Sequence, residues 1–167
     1  MQNREKIVAI SQEPLPVIGW REHIALPELG IPELKVKIDT GARSSALHAF
    51  DIEPFQDAGK MMVRFKVHPY QQDSDRTILA QAEVIDQREV RNSGGDTQVR
   101  SVIQTKVELG GFAFPIELTL TNRDKMGFRM LLGRQAVRRR FLVDAGQSFL
   151  QTPTGSKKRQ QASEKSL

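Results

Sequence analysis

Apolar and polar residues alternate along most of the chain, which is the pattern of β-strands with one buried face. The clearest example is LKVKID at 34–39, where Leu34, Val36 and Ile38 share one face and two lysines the other. One short segment, RQAVRRRF at 134–141, has helical spacing instead. Strand-like runs lie at 17–26, 34–39, 45–55, 61–69, 77–86, 102–109, 112–120, 130–133, 141–144 and 148–150. This pattern predicts a mainly β fold, a small closed or semi-closed barrel with one brief helix.

Two of these runs form the clearest predicted hairpin. Residues 102–109 and 112–120 flank Gly110 and Gly111, and glycine supplies the positive φ that tight hairpin turns need. Pro115 lies inside the second run and has no N–H to donate to a neighbouring strand. The second strand is therefore expected to have an edge position or a bulge at this proline.

Length and composition favour one globular domain. The chain has 167 residues, 38% of them hydrophobic and 27% charged, which suits one core and is too short for two domains of ordinary size. We predict a flexible N-terminal lead at 1–13, a folded domain at 14–150 and a disordered basic tail at 151–167. The absence of cysteine excludes disulfides, thiolate metal ligands and a cysteine nucleophile.

Membrane and nucleic-acid partners are not expected from the sequence. No apolar run approaches the ~20 residues that span a bilayer, and the N-terminal residues lack the apolar centre of a signal peptide, so a cytoplasmic location is the expectation. The net charge of +5 is concentrated in the predicted tail and in a cluster formed by Arg134 and 138–140. Because no aromatic residues interleave this cluster, a solvated surface explains it better than a nucleic-acid site.

One carboxylate lies at the end of the best predicted strand, in the stretch VKIDTGARSSA. A structural interpretation is that Asp39 accepts backbone N–H bonds in an Asx-turn. A catalytic interpretation is that Asp39 supplies a reactive carboxylate and that Thr40 supplies a hydroxyl which ties the loop to a partner. Gly41 then lets backbone and substrate approach closely, and the small side chain of Ala42 lets the loop pack beneath them.

A second segment strengthens the catalytic interpretation. Residues 130–135 read MLLGRQ and lead into the predicted helix. The chain thus has Ile-Asp-Thr-Gly-Ala early, a glycine-bearing hairpin at 88–101, and Leu-Leu-Gly-Arg with a helix late. In this order the motifs resemble the retropepsins, the retroviral-type aspartic peptidases, over residues 17–150. The resemblance implies a closed acid-protease β-barrel, a flap at 88–101 that covers the substrate, and one short C-terminal helix.

The globular part resembles one bacterial group of retropepsin-like proteins more closely still. The segments that carry this resemblance are GWRE (19–22), ALPELGI (25–31), KIDTGARSSALHA (37–49), LTNRDKMGFRMLLGR (120–134) and FLVD (141–144). Members of this group are often labelled ATP-dependent zinc proteases. Some are linked with a glutamate ligase that acts on a ribosomal protein.

The zinc and ATP labels have little support in the residues. The chain has three histidines, His23, His48 and His68, at spacings that suit no standard zinc site, and it lacks HExxH. The phosphate-binding pattern GxxxxGK[ST] does not occur either. We therefore expect no metal and no cofactor.

The resemblance implies catalysis by two aspartates, whereas the chain has a single Asp-Thr-Gly. Asp39, Thr40 and Gly41 are then the catalytic residues, and a symmetric homodimer with one Asp39 from each subunit completes the site. Asp144 in FLVDAG is a rival within the chain, because it also follows two apolar residues and precedes a glycine. We favour the homodimer, since this rival lacks the hydroxyl residue.

One position departs from the family pattern. Retroviral enzymes have an Asp directly after Asp-Thr-Gly-Ala that pairs with the Arg of the late Gly-Arg segment, and here Arg43 occupies that position. Arg43 and Arg134 repel each other at close range unless an acid lies between them. Candidates for that acid are Asp51, Glu117 and Asp124, and a carboxylate of the substrate is a further candidate.

Arginines are frequent in the segments expected to border the cleft, and their guanidinium forks favour carboxylates. An acidic or glutamate-rich protein segment is therefore a candidate substrate, with solvated strand residues as the competing explanation. The predicted substrate-binding residues are Ala42, Arg43, Arg88, Arg91, Ser93, Gly94, Gly95, Arg100 and Arg134. The expected function is an aspartic endopeptidase. The alternative is a weakly active or inactive binding or regulatory module associated with a glutamate-ligase system.

Overall fold

The structure, a computed structural model, describes residues 14–70, 76–91, 94–122 and 127–152. Within these ranges the chain forms eleven β-strands and one short α-helix. The strands are β1 (Val17–Gly19), β2 (Arg21–Leu26), β3 (Ile31–Asp39), β4 (Ser45–His48), β5 (Phe50–Asp57), β6 (Lys60–Val67), β7 (Ile78–Arg91), β8 (Thr97–Leu109), β9 (Phe112–Thr121), β10 (Met130–Gly133) and β11 (Leu142–Asp144). The helix, α1, is Arg134–Val137. The predicted mainly β fold is confirmed.

Six of the strands close into a barrel. The hydrogen-bonded order is β2-β3-β10-β4-β9-β8, and the pairing of Ala25 with Glu108 joins β8 back to β2. Alternating residues of these strands point into the interior, so the apolar face of each strand is removed from water. The fully buried side chains of this core include Leu26, Leu34, Leu47, Ile103, Leu118, Leu120, Met130 and Leu132.

The predicted hairpin between β8 and β9 is confirmed. Leu109 pairs with Phe112, and Gly110 has a φ of 60° in the turn between them. Pro115 pairs with Lys106 of β8, while the pairing of β9 with β4 begins only at Leu118. The proline therefore lies where β9 has a partner on one side only, as its missing N–H requires.

The run at 17–26 is two strands rather than the predicted single strand. The chain bends at Trp20, whose N–H donates to the carbonyl of Gln147 at 2.8 Å. Before the bend, β1 pairs in parallel with β11 in a separate two-stranded sheet. The run at 45–55 is also divided, because Ala49 separates β4 from β5.

The last described residues differ from the prediction too. Residues 148–150 form no strand, and they run beside β2, where Phe149 donates its N–H to the carbonyl of Arg21 at 2.9 Å. The buried carboxylate of Glu22 accepts the N–H of Gln151 at 2.7 Å. The first contact satisfies a backbone carbonyl of β2, and the second gives one buried carboxylate oxygen of Glu22 a donor. The predicted lead at 1–13 and residues 153–167 of the predicted tail lie outside the described residues.

The helix is shorter than the predicted segment 134–141. It ends at Val137, and Arg139 has a φ of 64°, which turns the chain out of the helical path toward β11. Among the residues that the structure describes, no helix has the length and hydrophobicity to cross a bilayer.

β7 and β8 extend beyond the barrel. The first half of β7 pairs with β6, and β5 forms the outer edge of this small sheet. The second half of β7 pairs with the first half of β8 from Val84 and Ile103 to Arg91 and Thr97. We call residues 84–91 and 94–103 the flap hairpin. Gly95, at its turn, has a φ of 85°.

Candidate active site

The Asp-Thr-Gly-Ala segment lies where a barrel strand ends. Asp39 is the last residue of β3, and β10 runs parallel to β3 with Gly133 in register with Asp39. One carboxylate oxygen of Asp39, Oδ1, accepts the N–H groups of Gly41 and Ala42, both at 3.1 Å. The turn predicted from the structural interpretation therefore exists, and it fixes the orientation of the carboxylate.

The second oxygen of Asp39 has a different environment. Within the described part of the chain, Oδ2 accepts no hydrogen bond, and the side chain is half-buried. Thr40 is exposed, and its hydroxyl has no hydrogen-bond partner among the described residues. The loop thus holds one carboxylate oxygen in place and leaves the other oxygen and a hydroxyl available to a substrate, a water or a second chain.

Backbone hydrogen bonds tie this loop to the start of the helix. Arg134 donates its N–H to the carbonyl of Ala42 at 2.7 Å, and Gln135 donates to the carbonyl of Arg43 at 3.1 Å. The N–H of Gly133 donates to the hydroxyl of Ser45 at 3.0 Å. The Leu-Leu-Gly-Arg segment is therefore the support on which the Asp-Thr-Gly-Ala loop rests.

Glycine is required at position 133 by this close packing. A Cβ atom there would lie 2.5 Å from the backbone carbon and oxygen of Ser44. Neither atom belongs to a side chain that can rotate away, so a larger residue has to displace the loop. The sequence motif included Gly133, but the reason for it is a contact between segments far apart in the chain.

The missing Asp of the family pattern is replaced by a backbone acceptor. Arg134 donates from Nη1 to the carbonyl oxygen of Thr40 at 3.1 Å, so its guanidinium still binds the loop that carries Asp39. Of the acids considered for this role, Glu117 pairs with Arg88 and Asp51 pairs with Lys66. The third, Asp124, lies outside the described residues.

A polar cleft opens beside the loop. Its volume is about 460 Å³ and its lining residues are Arg43, Ser44, Arg88, Glu117 and Gln135. Arg43 is exposed here and, among the described residues, its guanidinium forms no ion pair or hydrogen bond. Ser44, Gln135 and the place of Glu117 in the cleft were not predicted, because the sequence shows no spacing that joins them.

Arg88 is already paired within the cleft. Its Nη2 lies 2.9 Å from Oε2 of Glu117 on β9, and its Nε lies 3.0 Å from Oδ2 of Asp86 on its own strand. These hydrogen bonds, first to Glu117 and then to Asp86, raise the pKa of Arg88 above its ordinary value. Arg88 thus faces two carboxylates that belong to the protein itself.

The other predicted flap residues lie in different places. Arg100 pairs with Arg88 across the hairpin, and paired residues share one face of a sheet. Arg91 is an odd number of positions from Arg88 and therefore lies on the opposite face, exposed. Gly94 and Gly95 are exposed at the tip. Ser93 lies outside the described residues.

A second Asp turn in the chain resembles the first. Asp144 ends β11 in register with Gly19 on the parallel strand β1, and its Oδ1 accepts the N–H of Gly146 at 3.0 Å. A Cβ at Gly19 would lie 2.4 Å from the carbonyl oxygen of Gln147. The FLVDAG segment therefore copies the local geometry of the Asp39 loop, as its sequence similarity suggested.

The three histidines occupy separate environments. His23 stacks on Phe149 with ring centroids 4.6 Å apart, and His68 stacks on Phe50 at 4.4 Å. His48 is buried on β4. Within the described ranges, no three His, Cys, Asp or Glu side chains group closely enough to hold a metal ion.

The barrel, the flap hairpin and the Asp-Thr-Gly-Ala loop resting on Leu-Leu-Gly-Arg define the class of retropepsin-like proteins. The family described as "Retropepsin-like aspartic endopeptidase RimB" matches residues 17–154, and the chain belongs to this RimB-like family. A crystal structure of a protein of unknown function from Legionella pneumophila is similar, with a TM-score of 0.69 and 27% identity. The similarity covers 82% of this chain and 98% of that one.

Several relatives are named "Probable alpha-L-glutamate ligase". One from Shewanella halifaxensis is 45% identical over 133 residues, which are 80% of this chain and 29% of the relative. One from Parasynechococcus marenigrum is 49% identical over 128 residues, 77% of this chain and 28% of the relative. The chain thus spans less than a third of the length of these relatives.

Proposed function

We propose that this protein is an aspartic endopeptidase that works as a homodimer. The observation that carries the proposal is the Asp39 loop, in which backbone N–H groups fix Oδ1 while Oδ2 and the Thr40 hydroxyl are left without partners among the described residues. A loop that supplies one oriented carboxylate is half of an aspartic-peptidase site. A second copy, related by a two-fold axis, supplies the other half.

The chemistry follows from two carboxyl groups that share one proton. The ionised carboxylate takes a proton from water, and the water oxygen forms a bond with the scissile carbonyl carbon. The protonated carboxyl donates a hydrogen bond to the carbonyl oxygen. The tetrahedral intermediate then breaks its C–N bond, and the amine leaves with the proton that the first carboxylate took from water, which restores that carboxylate. Because the two groups are coupled, their titrations belong to the pair.

Acidic or glutamate-rich segments are the substrates that we propose. Arg43 supports this, because it lines the cleft without an ion-pair partner among the described residues and lies four positions from Asp39. Gln135 and Ser44 line the same cleft and add groups that can donate hydrogen bonds to a carboxylate. The relatives named as glutamate ligases support the same substrate class, since their product would carry glutamate.

We expect Arg43→Gln to weaken the use of acidic peptides selectively. A charge-assisted hydrogen bond to a carboxylate is lost, so KM for a glutamate-rich peptide should rise about tenfold while KM for a neutral peptide of equal length stays unchanged. Steady-state hydrolysis of the two peptides measures this. An equal change for both peptides would contradict the acidic-substrate proposal, and Arg91→Gln, on the outer face of the flap hairpin, is the matched control.

A second candidate function is a binding or regulatory module that keeps the fold without hydrolysis. The observation that favours it is that this chain matches less than a third of each relative named as a glutamate ligase. A related domain thus occurs in the same chain as a ligase, and that association does not require proteolysis. The two functions are separated by Asp39→Asn. A peptidase loses hydrolysis in this variant, whereas a binding module has no hydrolysis to lose and keeps its affinity for an acidic peptide.

A further inference from the structure

The contact between Arg88 and Glu117 crosses β8 and connects the flap hairpin to the barrel. Arg88 is on the flap hairpin and Glu117 is on the barrel strand β9. Their side chains meet at 2.9 Å, and both line the cleft beside the Asp39 loop. Glu117 lies one residue before β9 begins to pair with β4, so it stands at the rim of the barrel.

The ion pair between Arg88 and Glu117 is weak enough to form and break reversibly. The side chains of Arg88 and Glu117 are 37% and 47% exposed, so solvent screens their attraction. An ion pair of this kind favours the closed state by only about twofold to fivefold. It biases the position of the flap hairpin without locking it, and another carboxylate can compete for the same guanidinium.

We propose that Arg88 and Glu117 form a latch between flap and barrel, and that a carboxylate of an acidic substrate opens it by replacing Glu117 on Arg88. This inference rests on the proposed function for the identity of the ligand. Glu117 is then a specificity-determining residue: a neutral substrate leaves the latch in place, whereas an acidic one gains Arg88 as a second cationic contact beside Arg43. Asp86 stays on Arg88 in both states and keeps the guanidinium oriented.

The flap itself gives a readout that needs no hydrolysis. We expect Glu117→Gln to raise hydrogen exchange of the amides at 86–91 and 97–101 by about threefold, because β7 and β8 separate more often when the ion pair no longer ties β7 to β9. Asp51→Asn is the matched control: it removes an exposed 3.0 Å ion pair with Lys66 outside the cleft and should leave flap exchange unchanged. Unchanged flap exchange in Glu117→Gln would overturn the latch.

The affinity for hexaglutamate tests the replacement of Glu117. Measured by calorimetry in an Asp39→Asn background, binding should tighten about threefold to tenfold when Glu117→Gln is added, because the internal competitor is gone. In an Arg88→Gln protein, adding the same Glu117→Gln change should bring no gain over Arg88→Gln alone. A gain that persists without Arg88 reflects general charge and overturns the proposal, as does an absence of hexaglutamate binding in every variant.

The two proposals fail in different ways. If the wild-type protein hydrolyses no peptide, the peptidase proposal fails, while the exchange and affinity measurements still decide the latch. If hydrolysis depends on Asp39 but Glu117→Gln changes neither flap exchange nor hexaglutamate binding, the latch fails and the peptidase stands.

Discussion

Asp39→Asn is expected to abolish peptide hydrolysis, with a loss of about a thousandfold or more in kcat, while the protein remains folded. The asparagine keeps an oxygen that can accept the N–H groups of Gly41 and Ala42, so the loop retains its hydrogen bonds. It cannot take a proton from water or share one with a second carboxyl. Steady-state hydrolysis measures the activity, and thermal unfolding checks the fold.

Asp144→Asn is the matched control for this change. Asp144 also ends a strand, faces a glycine on a parallel neighbour, and accepts a backbone N–H two residues on. Any general cost of replacing an aspartate in such a turn is therefore common to both variants. We expect Asp144→Asn to keep wild-type hydrolysis. Loss of hydrolysis in a folded Asp144→Asn protein would instead place both carboxylates in one chain and contradict the homodimer.

Gly133→Ala is expected to cost both stability and activity. The added Cβ would lie 2.5 Å from backbone atoms of Ser44, and the surrounding barrel is closely packed, so we expect a loss of about 3 kcal/mol in the free energy of unfolding. The displaced loop also carries Asp39, and a shift of about 1 Å in a catalytic group can lower kcat about a hundredfold. Chemical denaturation and steady-state kinetics measure the two effects.

Gly111→Ala is the control for Gly133→Ala, because it adds a Cβ to a glycine that is not packed against other atoms. Gly111 is in the turn between β8 and β9, and a Cβ there meets nothing within 4 Å. We expect its free energy of unfolding to change by no more than about 0.5 kcal/mol. If Gly133→Ala were equally harmless, the loop would not depend on contact with the Leu-Leu-Gly-Arg segment, and the packing account of the motif would be wrong.

The sequence predicts those features that depend on local pattern. Alternation in LKVKID predicts most of β3, and Gly110 with Gly111 predicts the turn of the β8–β9 hairpin. The resemblance to the retropepsins predicts the family and the closed barrel correctly. These features succeed because strand periodicity and turn chemistry are set by neighbours in the chain.

The rest depends on contacts between distant residues. The bend at Trp20 is fixed by the carbonyl of Gln147, which lies 127 positions further along the chain. Arg134 binds the carbonyl of Thr40, an acceptor that every residue has and that no motif can mark. Glu117 of β9 meets Arg88 of β7 because both strands pair with β8, one on each side of it. Alternation predicts which residues of a strand share a face, but it does not predict which side chains from different strands meet across a cleft.

The central claim, that one active site needs Asp39 from two chains, is tested most directly by mixing subunits. Wild-type protein is dissociated and reassociated with an equal amount of Asp39→Asn protein, and hydrolysis is measured per wild-type chain. With random pairing, half of the wild-type chains pair with a variant chain and form a site that has a single Asp39 carboxylate. The activity per wild-type chain should therefore fall to about half. Activity per wild-type chain that stays constant at every mixing ratio would contradict the claim, because each chain would then hold a complete site.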